Sequence, residues 1–282
     1  MNKNTGKQIE ALGDNKGAVS YIDVYTPSLL MGLDRAQDRK KLGVDAAEPL
    51  PFKGFDIWNA YELSWLNEKG KPEVAVAQIQ IPASSPAMPE SKSLKLYLNS
   101  FNQTPFNRQV DVVRTLESDL GICVRAPVSV TLCSVRKIQQ LGAAMHPGTL
   151  LDDLDVDVQD YEVNPENLKL DSEGKKVQES LYSHLLKSNC PLTGQPDWAS
   201  IVIQYRGEKI DRTGLLKYLI SFRTHQGFHE NCVERIYMDI LSRCQPENLS
   251  IYAHFLRRGG IDINPFRSNH EDSALYVRSP RQ

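Results

Sequence analysis

The chain reads as an α+β protein built from two similar units, each a largely antiparallel sheet with helices on one face. Three observations predict this. Strand-like alternation and helical periodicity succeed each other in the same order in both halves. Leu94, Tyr97, Leu98, Ser100 and Phe101 match Leu215, Tyr218, Leu219, Ser221 and Phe222 in spacing and identity, as an internal duplication would leave them. An acidic stretch from Asp152 to Asp160 lies between the halves and reads as a solvated connection. The expected divisions are residues 1–50 as a loosely structured approach, 51–150 as the first unit and 151–282 as the second.

The elements of the first unit come from pattern. Residues 1–50 are mixed and polar, with short apolar groups around Tyr21 to Tyr25 and Leu29 to Leu33. From Trp58 to Ile81 the residues alternate: Ala75, Ala77, Ile79 and Ile81 share one face, and Val74, Val76, Gln78 and Gln80 the other. Asn67-Glu68-Lys69-Gly70 supplies the turn of a hairpin. A Pro/Ser-rich link from Pro82 to Pro89 leads into Glu90 to Phe101, then to a helix with Val110, Val113, Leu116 and Leu120 on one side. Val128, Val130 and Leu132 alternate as another strand.

The second unit repeats the order. A helical pattern is expected to end near Lys187, because Cys190 precedes Pro191 and a residue before proline is pushed out of the α region. Ile201, Ile203 and Tyr205 alternate, and Arg206-Gly207-Glu208-Lys209 reads as a turn. Val233, Ile236, Tyr237 and Ile240 line a helix, and Leu249, Ile251, Ala253 and Phe255 alternate again.

Composition bounds the function. The 282 residues are 40% hydrophobic and 24% charged, with a formal net charge of -2, a globular balance without the basic footprint of nucleic-acid binding. The polar N-terminus argues against a secretory signal, and no apolar run reaches the ~20 residues of a membrane span. A cytoplasmic protein is expected. The cysteines, Cys123, Cys133, Cys190, Cys232 and Cys244, include no C-x-x-C pair. Cys232 and Cys244 fall on one helical stripe with Ile236 and Ile240 and read as core. Cys190 has no periodic explanation, so it is a candidate nucleophile as well as an incidental loop thiol.

A cysteine attacks as its thiolate, and an unperturbed thiol has a pKa of about 8.5, so Cys190 would need a cationic partner. A preceding helix would present its negative C-terminal end, so that partner must come from elsewhere. Asp197, seven residues on, is a candidate proton donor if burial raises its pKa. Phe228-His229-Glu230 opens a helix, where Glu230 could favour the first turn and His229 sit near the cap. Alternatively, His229 shuttles protons and Glu230 accepts hydrogen bonds from a ligand's N–H groups. Arg257-Arg258-Gly259-Gly260 is either a charged turn or a phosphate clamp. Neither standard nucleotide fingerprint occurs, and the six histidines lack metal-ligand spacing.

Four blocks in order resemble the NADPH-dependent 7-cyano-7-deazaguanine reductases, the nitrile reductases of the queuosine pathway, in their long two-unit form. They are Glu90-Ser91-Lys92-Ser93-Leu94-Lys95-Leu96-Tyr97; Ser188-Asn189-Cys190-Pro191 with Pro196-Asp197-Trp198; Phe228-His229-Glu230; and Arg257 through Pro265. The likeness runs from about Asp56 onward. It implies the tunnelling fold, whose units assemble side by side, and the reduction of a nitrile to a primary amine with two NADPH. By analogy Cys190 forms a covalent thioimide, Asp197 supplies a proton to nitrogen and His229 assists later proton transfers.

The same resemblance implies a substrate site of Pro89, Glu90, Ser91, His229 and Glu230, and a cofactor site of Ser91, Lys92, Arg258 and Gly259. A homodimer is expected, with no metal and neither a nucleic-acid nor a membrane partner, as the charge, run lengths and histidine spacing above suggest. Pro89 stands where members of that family usually carry an aliphatic residue, and it has no amide N–H to offer. Two other readings compete. A zinc-dependent cyclohydrolase of the same fold would need cysteine and histidine ligands converging near Cys190. A catalytically silent protein for a purine-like ligand would keep the site and lack turnover.

Overall fold

Apolar alternation in both halves becomes one continuous sheet in the computed structural model, which describes residues 22–45, 48–135, 146, 148–272, 279 and 282. The expectations for residues 1–21 lie outside those residues. In chain order the strands are β1 (Gly32–Asp34), β2 (Lys53–Leu66), β3 (Pro72–Pro82), β4 (Ala87–Pro89), β5 (Ser129–Cys133), β6 (Thr149–Leu150), β7 (Lys176–Asn189), β8 (Pro196–Glu208), β9 (Asn248–Phe255) and β10 (Ile261–Ser268). The helices are α1 (Ala36–Lys41), α2 (Ser91–Asn99), α3 (Gln109–Val124), α4 (Arg212–Ile220) and α5 (His229–Cys244). Eight strands join in the order β5-β3-β2-β10-β9-β8-β7-β6, and β1 pairs separately with β4. All pairings in the large sheet are antiparallel except β6 with β7.

The two halves are copies in detail. β2 and β7 have 14 residues each and share a β-bulge at the same place, between Ala60 and Leu63 and between Ser183 and Leu186. The repeated tyrosines do the same work: Tyr97 donates to Asp119 Oδ2 and Tyr218 to Asp239 Oδ2, both at 2.6 Å. Ser100 and Ser221 each donate to the carbonyl of the tyrosine three residues back, both at 2.6 Å. The long helices α3 and α5 each run 16 residues and end on a left-handed residue, Arg125 (φ 61°) and Gln245 (φ 47°).

The helices cover one face of the sheet. In the first core Trp58, Ala60 and Leu63 of β2 and Ala77, Ile79 and Ile81 of β3 meet Leu94 and Tyr97 of α2 and Val112, Leu116 and Leu120 of α3. In the second, Ala199, Ile201 and Ile203 of β8 meet Leu215 and Tyr218 of α4 and Val233, Ile236, Tyr237 and Ile240 of α5. Each large apolar side chain among them contributes about 1.5–3 kcal/mol by leaving water. The cores interlock: Phe52 and Ala83 belong to the second, and Ile261 and Ile263 of β10 to the first. On the face without helices, Ile57, Tyr252 and Phe266 form a smaller cluster with Phe55.

Several expectations shift. The inner stripe of α3 is Val112, Leu116, Leu120 and Val124, with Val110 turned outward. Arg206, Gly207 and Glu208 finish β8, so the turn comes later. Asp152 is more than a solvated linker residue: it accepts from Ser183 Oγ at 2.6 Å and from the His184 N–H at 3.0 Å, holding the β7 bulge. Residues 32–41 of the approach segment form β1 and α1, and they carry the buried Arg35 and Arg39.

The matched tyrosines give a test of the duplication. Tyr97→Phe and Tyr218→Phe should each lower unfolding free energy by about 1–3 kcal/mol, since each removes a hydroxyl hydrogen bond to a carboxylate. Urea denaturation measures it, and losses below about 0.5 kcal/mol in both would show that these bonds do not hold the units together.

Candidate active site

The backbone around the end of β7 fixes the position of Cys190. Asn189 N–H donates to the His225 carbonyl at 2.8 Å, and Gly227 N–H donates to the Asn189 carbonyl at 3.1 Å. That parallel bridge to Gln226 locks the end of β7 against the chain that enters α5, whose first residues are His229 and Glu230. Cys190 N–H then donates to the Gln195 carbonyl at 2.8 Å, and Gly194 N–H to the Cys190 carbonyl at 2.9 Å. The closed loop ends where β8 begins, with Asp197 its second residue.

The helix expected to end near Lys187 is strand β7. Its bulge between Ser183 and Leu186 breaks the two-residue alternation, so the apolar positions mimic a helical spacing. The helix end expected just ahead of the thiol is therefore replaced by the end of a strand. Burial alone would raise the Cys190 pKa, but hydrogen bonds from the Thr193 hydroxyl, the Leu192 and Thr193 amides and Arg258 outweigh it and hold the thiol below its ordinary value. Burial instead pushes Cys123 and Cys244 up to about 11 and Cys232 up to about 12. The reading of Cys232 and Cys244 as core thiols holds: both are buried on the inner side of α5.

Asp197 is 5% exposed and has two partners. Arg258 Nε lies 3.1 Å from its Oδ1, and His229 Nε2 lies 3.3 Å from its Oδ2. The His229 ring is stacked on Phe255 of β9, with centroids 3.9 Å apart and planes 8° apart. Arg258 also donates to Gln195 Oε1 at 2.9 Å, so one guanidinium ties together the thiol, the loop and the carboxylate. The family resemblance assigns Arg258 to the cofactor alone, and the sequence pattern gives no sign of this reach toward the sulfur.

Glu230 is 2% exposed, and its Oε1 has no hydrogen-bond partner among the described residues. Burial first, then repulsion from Asp56, pushes its pKa up to about 8 despite attraction from Arg35 and Arg267. Glu90 is the N-cap of α2, accepting from the Lys92 amide at 3.0 Å and the Ser93 amide at 2.6 Å. Bonds from Glu90 N–H to the Met31 carbonyl and from Arg35 N–H to the Pro86 carbonyl fix the β1–β4 alternation. Pro89, opposite Gly32, therefore falls at a non-hydrogen-bonded position, where its missing N–H costs the ladder nothing.

Ser91 and Lys92 open α2, and Lys95 one turn on reaches the far side of the site. Its ammonium contacts the Gly259 carbonyl and lies 2.8 Å from Glu62 Oε2. Gly259 (φ +57°) and Gly260 (φ +79°) make the reversal into β10, which a side chain at either position would strain. Arg257 lies over the Tyr61 ring at 4.4 Å. Lys95 and Glu62 are not singled out by sequence pattern, although Lys95 stands inside the octad from Glu90 to Tyr97. Among the described residues no group of three or more His, Cys, Asp or Glu is disposed to hold a metal, and the neighbours of Cys190 donate hydrogen bonds.

Alkylation can test the thiol's environment. The iodoacetamide reaction of Cys190, read by peptide mass mapping, should show a pH midpoint below the ordinary thiol value. Arg258→Met should move that midpoint upward. An unchanged midpoint in the variant would remove Arg258 from the thiol's electrostatics.

Residues 21–132 match the family described as "Nitrile reductase, 7-cyano-7-deazaguanine-reductase N-term", and residues 196–274 match the one described as "QueF-like protein". A curated relative, the NADPH-dependent 7-cyano-7-deazaguanine reductase of Bordetella avium (strain 197N), is 54% identical over 272 residues. The match covers 96% of this chain and 97% of that protein. A solved structure, the archaeosine synthase QueF-Like in the apo form, matches 36% of this chain and 96% of its own at 13% identity, and its TM-score of 0.30 is too low to carry an argument. With kinship running along nearly the full length of both chains, and through the segments that carry Cys190, Asp197, His229 and Glu230, this molecule belongs to the family of 7-cyano-7-deazaguanine nitrile reductases.

Proposed function

We propose that this chain reduces the nitrile of 7-cyano-7-deazaguanine to the primary amine of 7-aminomethyl-7-deazaguanine, using two NADPH, as a step of tRNA queuosine biosynthesis. One observation carries the reading: a thiol held below its ordinary pKa shares Arg258 with a buried aspartate that also meets a histidine. The family resemblance and the relative's name supply the substrate and the cofactor.

Thiolate Cys190 adds to the nitrile carbon, forming a C–S bond as one C–N π pair moves onto nitrogen. Asp197 delivers the proton that nitrogen then needs, which leaves a neutral thioimide. Arg258 faces both groups and offsets the negative charge as it passes from sulfur to nitrogen. NADPH, when bound, supplies one hydride to the thioimide carbon and a second to the imine formed from it. Cys190 leaves as thiolate after the first reduction, again received by Thr193 and Arg258. His229, paired with Asp197, moves the protons that nitrogen requires in these later steps. In total one nitrile, two NADPH and two protons become one amine and two NADP⁺.

The chain's surfaces fit these ligands. A guanine-like edge presents N–H donors, and the unpartnered Glu230 Oε1 is an acceptor for them, with Glu90 at the start of α2. Lys95 and Arg258 flank the glycine turn at Gly259, where the lack of a side chain would let a phosphate-bearing ligand come close to the backbone, with Lys92 one turn back on α2. A cytoplasmic homodimer, with sheets placed side by side as in a tunnelling fold, completes the proposal.

Two outcomes are expected. Titration should consume two NADPH for each amine formed, read by absorbance against product mass; a ratio of one would mean that reduction stops at the imine. Asp197→Asn should lower kcat by about 10²–10⁴ while ligand affinity falls far less. Equal losses in both would make Asp197 a binding or structural residue.

A further inference from the structure

Behind Glu230 lies a buried charge cluster that the nitrile chemistry does not use. Arg35, at the end of β1, has Nη2 2.5 Å from Asp56 Oδ2 and donates from Nε to Ser85 Oγ at 3.3 Å. Arg267 of β10 has Nη1 2.8 Å from Asp56 Oδ1 and Nη2 2.8 Å from Glu234 Oε1. Arg39 of α1 grips Glu234 with Nε and Nη2 at 2.9 and 2.7 Å. All five side chains are less than 10% exposed. Burial works against both Asp56 and Glu234, yet the surrounding guanidinium groups hold each below the usual carboxylate range.

The charges do not cancel within this cluster. Three guanidinium groups face two carboxylates, which leaves one positive charge uncompensated in a dry interior, an expensive arrangement. The third acid is Glu230, four residues before Glu234 and therefore on the same side of α5. Arg35 Nη1 makes no hydrogen bond among the described residues, and neither does Glu230 Oε1. Arg35 and Arg267 favour the ionised Glu230, while Asp56 opposes it.

We infer that Arg35 is a positioning residue of the substrate site: its surplus positive charge stabilises the Glu230 carboxylate that a guanine-like edge draws out as it binds. The inference rests on the reading of Glu230 as an acceptor of ligand N–H groups. It also explains why the approach segment folds onto the domain. The backbone of the same short strap pairs β1 with β4, leading directly into Glu90, and its side chains Arg35 and Arg39 pair with Asp56 and with Glu234, one helical turn from Glu230. One segment thus serves both carboxylates of the site.

The pH effect has a definite sign. Glu230 titrates at about 8, so ligand binding below that pH draws a proton off it, and affinity rises as pH climbs toward 8. The groups that face Glu230 are Arg35 beside β1, Asp56 of β2 and Arg267 of β10, with Cys232 and Glu234 on its own helix. Arg35→Met removes a cation and moves the midpoint higher; Arg35→Lys keeps the charge and should leave it near the parent's.

The test is calorimetric binding of 7-cyano-7-deazaguanine in a Cys190→Ala background, from pH 6.5 to 9, in buffers of different ionisation enthalpy. The parent should release a proton on binding below pH 8, and Glu230→Gln should release none. Arg35→Met should bind about tenfold more weakly at pH 7 for each unit its midpoint rises, with the gap narrowing toward pH 9. Arg35→Lys should restore most of the affinity. A pH-independent loss, equal in Met and Lys variants, would overturn the inference and leave Arg35 a structural residue. If Glu230→Gln binds as tightly as the parent, the reading of Glu230 itself has failed instead. Should Arg35→Met not fold, absence of proton release in the folded parent, or a shifted midpoint in Arg35→Lys, contradicts the inference without it.

Discussion

The antiparallel pairing of β10 with β2 is the constraint on which the rest of this molecule depends. Its register runs from Ile261 opposite Ala60 to Ser268 opposite Lys53, so the last strand of the second unit closes onto the first strand of the other. Two duplicated units thereby share one sheet and exchange core residues, Ile261 and Ile263 one way and Phe52 the other. The same pairing sets Arg267 against Asp56 at the buried centre. It also holds the Arg258–Gly259 turn beside Glu62 and Lys95 of the first unit. The proposed site, drawn from both halves, needs that seam.

At the seam, charge is arranged in layers. Arg258 stands between sulfur and carboxylate at the proposed reacting end, and a guanidinium cluster lies one turn of α5 from Glu230 at the proposed recognition end. Partly dry surroundings make each of these interactions stronger than it would be in water, and they make each unpaired atom more costly. The orphaned atoms at Glu230 and His229 are therefore informative, because a ligand with N–H donors or a proton to move would satisfy them.

Much of this was legible in the sequence, for physical reasons. Period-two alternation at Ala75–Ile81 and Leu249–Phe255 reported strands faithfully, since one face of each is packed under helices. The Tyr97/Tyr218 repeat was visible because the same hydroxyl-to-carboxylate bond fixes both copies. Cys190 stood out because it lacked a periodic excuse, and it sits in a closed loop that runs on to Asp197. The strand before it resembles a helix in sequence because its bulge shifts the phase of the side chains. Arg35, Asp56, Arg267 and Glu234 left no signal at all: charged residues are ordinarily solvated, and only the fold reveals that these are buried together. The double role of Arg258 was equally hidden, since it depends on a turn returning from a distant strand.

What these parts have in common, in the proposed mechanism, is one sulfur atom kept ready to bond a carbon that resists hydride on its own. The most direct measurement is intact mass spectrometry of the protein mixed with 7-cyano-7-deazaguanine in the absence of NADPH. The account predicts a species heavier by one ligand, located at Cys190 and missing from Cys190→Ala. Wild-type protein that stays unmodified while still turning over with NADPH, or an adduct that survives the loss of Cys190, would contradict it.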